Sequence, residues 1–273
     1  MRIRFLGTAA YEAIPALFCT CDICQNARKV KGKEIRTRCG ALVDGKIKLD
    51  FPPDTYLHIL RDNLDFSALE TLLITHSHSD HFAFHDIQAR LAPYAVLPDG
   101  AKPLTVYGSR DVERMYRDRL ERRDESRIRF RAIEPFKPFE TAEGYTATAL
   151  KAEHMQGHEC ALFYLLEKDG RKLLYAHDTA IFPAESFEYL KGRGIDLVSL
   201  DCTSGKADGG SGHMGVREAL EMRERLLASG AAKNDAIFVL NHFSHNGGYT
   251  YQALSEEMDG TCLVSYDGME IEF

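Results

Sequence analysis

Thr75-His76-Ser77-His78-Ser79-Asp80-His81-Phe82 directly follows the apolar run Thr71 to Thr75, and the reading of this junction governs the rest of the chain. Neutral imidazoles and a carboxylate suit zinc, manganese or iron. Ligands placed where a strand ends are held rigidly by the sheet while their heads stay open to solvent. Residues two apart in an extended segment point the same way, so His76 and His78 face one ion. Asp80 and His81 are expected to open the next helix and to aim elsewhere, which favours two adjacent ions over one.

A two-ion site needs more donors, and the later chain offers them at similar places. His154 follows the run Tyr145 to Leu150, Asp178 follows Lys172 to Ala176, and His242 follows Ala236 to Leu240. Each stands just past an expected strand end. About a dozen such short apolar or β-branched runs alternate with amphipathic stretches along the chain. Helices are expected after Phe82, after Ser109, after Pro183, from Gly215 to Leu227 and from Tyr249 to Met258, with Ser109 as an N-cap and Asp111 and Glu113 in the first turn. Many strands with few helices predict an α/β sandwich of sheets with helical outer layers. Neither an internal repeat nor a separating linker is visible, so residues 1–273 are read as a single domain.

Composition narrows the function classes. With 44% hydrophobic residues in 273, the chain has material for a proper core and is not a disordered segment. Its 34 basic and 41 acidic residues leave a net charge of −7, so no global field attracts nucleic acid or anionic lipid. No run approaches the ~18 apolar residues of a membrane span. The opening Met1 to Ala10 reads as a strand entering a turn, which is consistent with a soluble, cytoplasmic protein. The nine Arg and six acidic residues of Arg110 to Arg131, with Glu113–Arg117 and Asp118–Arg122 at i,i+4, read as a solvated helix face. Seven cysteines, three of them in Cys19-Thr-Cys21-Asp-Ile-Cys24, make a poor disulfide framework and a better metal cluster. Cys39, Cys160, Cys202 and Cys262 read as small apolar residues.

The H-x-H-x-D-H motif, a later His, an Asp and a last His occur in the order seen in the metallo-β-lactamase superfamily, which this sequence resembles along its whole length. The resemblance implies a four-layer αββα sandwich. It implies His76, His78 and His154 on one ion, Asp80, His81 and His242 on the other, and Asp178 bridging both. Asp50 falls where the family keeps a carboxylate that orients the ligands, although Phe51-Pro52-Pro53 follows it in place of the usual small residue and Gly. Gly7-Thr8-Ala9-Ala10, Pro15-Ala16, the cysteine loop, Asp201-Cys202-Thr203, Asn241-His242-Phe243-Ser244-His245 and Tyr266 to Ile271 are similar to the phosphodiesterases of the carbon-phosphorus lyase pathway. That likeness implies a structural zinc held by Cys19, Cys21, Cys24 and His245. Such a shell has no vacancy and would staple the N-terminal loop to the C-terminal region.

The expected reaction is hydrolysis, because paired divalent ions lower the pKa of a shared water and neutralise an anionic substrate. Asp80 and His213 are the expected catalytic residues. His213 lies in the loop Gly209 to Met214, with no evident structural duty, and is read as the general acid. The expected cofactors are two divalent ions, zinc or manganese with iron a third option, and one structural zinc. The expected partner is a small or cyclic phosphodiester, with no membrane and no nucleic acid, and a homodimer is compatible with the sequence. Two other readings stand beside this one: a tRNA-processing nuclease resembling ribonuclease Z, and a non-catalytic accessory protein resembling those of pyrroloquinoline-quinone biosynthesis.

Overall fold

A computed structural model describes residues 1–120, 122–155 and 157–273. The first of its two sheets is built on β1 (Arg2–Gly7), whose neighbours are the C-terminal β14 (Glu270–Glu272) and β2 (Gly40–Val43). It continues through β3 (Ile47–Leu49), β4 (Thr71–Leu73), β5 (Leu104–Gly108) and β6 (Ile128–Ala132). From β3 onward the neighbours run parallel. The second sheet takes, in spatial order, β13 (Leu263–Val264), β12 (Ala232–Asn241), β11 (Ile195–Asp201), β10 (Arg171–Ala176), β9 (Leu162–Lys168), β8 (Thr146–Lys151) and β7 (Phe139–Glu140). Here β10 to β13 are parallel and β7 to β10 antiparallel.

Side-chain alternation along the strands sorts the apolar residues into three layers of packing. Ile3, Phe5, Ile47 and Leu49 of the first sheet meet Tyr164, Leu166, Leu173, Leu197 and Val239 of the second in the central core. On the far face of the second sheet, Leu174, Val198 and Leu200 pack against Met222 and Leu226 of helix α6 (Val216–Ala228) and Leu254 of α7 (Tyr251–Glu257). On the far face of the first, Leu72, Val106 and Ile128 pack against Val112 and Tyr116 of α4 (Arg110–Arg119). The result is the αββα sandwich that the resemblance implies. All seven residues of β11 are buried, as expected of a parallel strand covered on both faces.

Helix α4 starts as expected: Ser109 Oγ accepts from Val112 N at 3.2 Å. It ends at Arg119, so the Glu113–Arg117 pair forms at 2.8 Å whereas Arg122 lies beyond the helix on which its expected i,i+4 pairing with Asp118 depended. Helix α5 (Ala184–Leu190) follows Pro183 as expected. Two helices were not anticipated. Helix α1 (Asp22–Val30) begins inside the cysteine loop, and α2 (Thr55–Asp62) follows Pro52-Pro53. The helix expected at Asp80 and His81 begins later, as the short α3 (Phe84–Ile87). Asp80 and His81 instead occupy a turn in which the amides of His81 and Phe82 both donate to His78 O, at 3.0 and 2.9 Å. Among the described residues, no helix is long and apolar enough to cross a membrane.

Candidate metal centre

The turns that leave strands β4, β8, β10 and β12 carry the donors, which come together at one place in the fold. Strand β4 leads to His76, His78, Asp80 and His81, β8 to His154, β10 to Asp178 and β12 to His242. His76 Nε2 lies 2.9 Å from His78 Nδ1, and His154 Nε2 lies 3.3 Å from the same atom. Beside this trio, His81 Nε2 lies 3.3 Å from His242 Nε2 and 3.3 Å from Asp80 Oδ2. Asp178 sits between the two sets. Its Oδ2 is 2.8 Å from His81 Nε2 and 3.0 Å from His242 Nε2, while its Oδ1 is 3.8 Å from His154 Nε2.

The outer nitrogen of four of these rings has a partner that fixes the tautomer. His81 Nδ1 donates to Asp50 Oδ2 at 2.8 Å, and His76 Nδ1 to Thr75 Oγ1 at 3.0 Å. His242 Nδ1 donates to Thr203 Oγ1 at 2.8 Å, and His154 Nδ1 to Gly212 O at 3.2 Å. Their Nε2 lone pairs therefore converge with His78 Nδ1 and two carboxylates. Lone pairs this close repel one another unless a cation lies among them. Asp178 Oδ2, buried and without a hydrogen-bond partner, is likewise an acceptor turned toward such a cation. The residues thus fit divalent ions in two adjoining sets.

Without an ion among them, the same carboxylates attract a proton in the cation's place. Although burial opposes charge on His81, Asp178, Asp80 and Asp50 draw its pKa well above the ordinary range. Burial opposes charge on Asp178 too, yet His242 and His81 hold it well below the usual carboxylate range. Burial is the main cause of the depressed pKa of His76, with the charge of His81 adding to it.

Asp50, uncertain from its flanking Phe-Pro-Pro, does orient the site. It accepts from Thr75 N at 2.9 Å and Thr75 Oγ1 at 3.0 Å, besides His81. Asp201 was legible only as part of a resembling stretch, although it too ends a strand. Its Oδ2 accepts from Asp178 N at 2.9 Å, and its Oδ1 from Met214 N at 3.1 Å. His213 Nδ1 lies 3.2 Å from Asp201 Oδ2 and 3.7 Å from Asp178 Oδ1. Burial opposes its charge, but Asp201 and then Asp178 outweigh this and push His213 up to about 9.

The cysteine cluster is a separate place in the fold. His245 Nδ1 lies 3.5 Å from Cys21 Sγ and 3.6 Å from Cys19 Sγ, and Cys24 joins them in a compact set of four donors. Burial disfavours the Cys21 thiolate, yet the Cys24 amide and the Cys19, His245 and Cys24 side chains bring it down to about 6. Cys24, which accepts from Ala16 N at 3.3 Å, is pushed up to about 11, chiefly by burial. The remaining histidines stay outside both places. His85 and His158 are exposed, His58 is buried against Thr37, and His177 is buried with its Nε2 2.7 Å from Ser199 Oγ.

Fold and converging donors define a metal-dependent hydrolase architecture. The sequence matches the beta-lactamase superfamily domain over residues 53–233, and the chain belongs to that superfamily. Among solved structures it is similar to a diphosphatase from the PhnP family, at 20% identity and a TM-score of 0.79, over 100% of this chain and 97% of that one. It is similar also to zinc-bound PqqB from Methylobacterium extorquens, at 19% and 0.74 over 100% of both chains. The short form of human tRNase Z aligns at 17% and 0.67, over 100% of this chain and 99% of its own. At such identities the likeness is one of fold. No curated protein sequence matches the chain.

Proposed function

We propose that the protein is a phosphodiesterase acting on small or cyclic diesters. His76, His78, His154 and Asp178 would hold one divalent ion, and Asp80, His81, His242 and Asp178 the other. Bound there, the pair supplies Lewis acidity and an activated water for attack on phosphorus. The chain's own side chains do the rest. Asp178 holds the two donor sets together through its two oxygens, and Asp201 fixes the loop that carries Asp178 by accepting its amide. Asp201 also accepts a hydrogen bond from His213 Nδ1–H, which leaves Nε2 to carry the mobile proton. From Nε2 that proton passes to the departing alkoxide, and the imidazolium offers charge to a non-bridging oxygen. Cys19, Cys21, Cys24 and His245 would hold a zinc that closes the N-terminal loop onto the turn after β12.

The observation that carries this reading is the His213–Asp201 pair, which sets an imidazole to act as an acid beside Asp178, its Nδ1 3.7 Å from Asp178 Oδ1 and within the same pocket. A site for a good acyl leaving group has less use for such an acid than one that expels an alkoxide. The test is hydrolysis of a chromogenic phosphodiester beside its monoester, with chelator-stripped protein reconstituted separately with manganese and zinc. Diester cleavage that returns with metal, with little monoester cleavage, supports the reading. A loaded protein that cleaves neither, but turns over thioesters or lactones, refutes it.

A further inference from the structure

The pocket over the donor sets has a volume of about 660 Å³, more than a reacting phosphate requires, so much of it serves the organic part of a substrate. A substrate with several phosphates would need several cations there. Among the described residues, no Lys or Arg lines the pocket. The guanidinium of Arg38, 5.9 Å from the centroid of the pocket-lining Tyr11 ring, is engaged by Asp54 at 3.2 Å and by Tyr11 O at 2.7 Å. The Lys206 ammonium lies over the Tyr249 ring, 4.8 Å from its centroid.

What lines this wall instead is a carboxylate. Glu12 follows β1 and enters the pocket beside Ser244 and Asn246 of the turn after β12. Its Oε1 accepts from Ser244 Oγ at 3.0 Å and from Asn246 Nδ2 at 3.2 Å. Its Oε2 has no hydrogen-bond partner among the described residues. The turn is itself anchored, since Ala10 N donates to Phe243 O at 2.9 Å and Phe243 N to Thr8 O at 2.9 Å. One oxygen is thus locked and the other is presented, a preorganised acceptor. Next to it the Tyr11 ring, 62% exposed, offers a π face.

We infer that Glu12 determines specificity at this site: it binds an electropositive, hydrogen-bond-donating group, hydroxyl or ammonium, on the organic half of the substrate and excludes a second anion there. The inference rests on the phosphodiester reading for its substrate class, though not for the role of Glu12. A carboxylate so placed repels an added phosphate or carboxylate and accepts from a sugar-like hydroxyl or an amine. The Tyr11 ring beside it adds apolar contact for the carbon skeleton that carries such a group.

The experiment uses the metal-loaded full chain and p-nitrophenyl phosphodiesters that share one leaving group. Their second alcohol is ethyl, 2,3-dihydroxypropyl, 2-aminoethyl or 2-carboxyethyl. The dihydroxypropyl or the aminoethyl ester is expected to exceed the ethyl ester in kcat/KM by about tenfold, the size of one charge-assisted hydrogen bond, and the carboxyethyl ester to fall below it. Which of the first two leads tells hydroxyl from amine. In Glu12→Gln the side-chain oxygen still accepts from Ser244 and Asn246, so the turn keeps its anchor and the spread collapses to within about threefold. Calorimetric titration with the matching alkyl(methyl)phosphinates, which carry no ester bond to hydrolyse, gives the same preference as a binding constant. Equal kcat/KM for all four esters, or equal affinity for all analogues, overturns the inference. If no diester is cleaved but the analogues show the preference and Glu12→Gln erases it, phosphodiester hydrolysis fails as the activity and the role of Glu12 stands.

Discussion

Replacing Asp50 by Asn tests whether the site depends on a residue that touches no ion. Asp50 accepts from Thr75 N, from Thr75 Oγ1 and from His81 Nδ1, and it is fully buried. Asn keeps one acceptor oxygen and puts an NH2 where the other was. If the oxygen serves His81, the NH2 confronts the Thr75 amide; if it serves Thr75, the NH2 confronts the His81 Nδ1 proton and the ring loses the partner that sets its tautomer. Either choice removes a hydrogen bond to a charged group inside the fold, worth about 1.5–3 kcal/mol. Because the loss acts on a metal-binding ring, we expect metal affinity to fall by about 10- to 100-fold. Chelator competition with manganese or zinc reads the constant directly, and circular dichroism checks that the sandwich persists. A folded Asp50→Asn protein that binds metal within threefold of the parent refutes the reasoning.

Three further outcomes are expected. Cys21→Ala opens the four-donor cluster, so the chain should lose one zinc by elemental analysis and melt at a lower temperature; an unchanged melting temperature with zinc retained contradicts the structural role. His213→Gln should lower turnover of phosphodiesters most where the leaving alcohol is poor, by about 10²-fold or more, whereas an equal loss across a leaving-group series makes His213 a binding group. Burial, with the charges of Lys48 and Arg61, holds His58 down to about 2 in the fold against an ordinary 6.5. Unfolding therefore takes up a proton below pH 6.5, so the stability tied to neutral His58 is complete above 6.5 and is lost as pH falls through it, by about 2 kcal/mol at pH 5. His58→Leu should lack this increment in urea unfolding between pH 7.5 and 5, and parallel pH curves for the two proteins would count against it.

How much of this was legible in the sequence follows from where each signal is local. A donor just past a strand end can be read from an apolar run and the residue after it, which is why the seven expected active-site donors come together. A sandwich of sheets with helical outer layers follows from many short strands and few helices, and the four-layer αββα order from the family resemblance. Asp201 also stands at a strand end, yet its role is hydrogen bonding to a neighbouring loop, which residue type and spacing do not show. Helix α1 was hidden because a metal-binding loop and a helix start share the same small and polar residues around Cys19 to Cys24. The turn at Asp80 and His81 was misread as a helix because its backbone pairs with Phe51, distant in sequence: Phe51 N donates to His81 O at 2.7 Å and Ala83 N to Phe51 O at 2.7 Å. Glu12 and its two donors lie more than 200 residues apart, so no window along the chain could pair them.

The turn after β12 draws these separate strands of chemistry together. His242 turns toward the donor sets with a left-handed backbone, Ser244 and Asn246 hold Glu12, and His245 belongs to the cysteine cluster. Gly247 packs under Gly205, where a Cβ would stand 2.3 Å from the Gly247 carbonyl oxygen, and so holds this turn to the loop that carries Thr203, the partner of His242. A zinc at the cysteines would therefore fix one end of a segment whose other residues set an ion ligand and the proposed specificity residue. Loss of that zinc should loosen Glu12 through Ser244 and Asn246 as well as His242. The cluster would then matter to substrate choice without touching substrate, and a Cys21→Ala protein that stays folded should lose discrimination among the four esters along with its zinc.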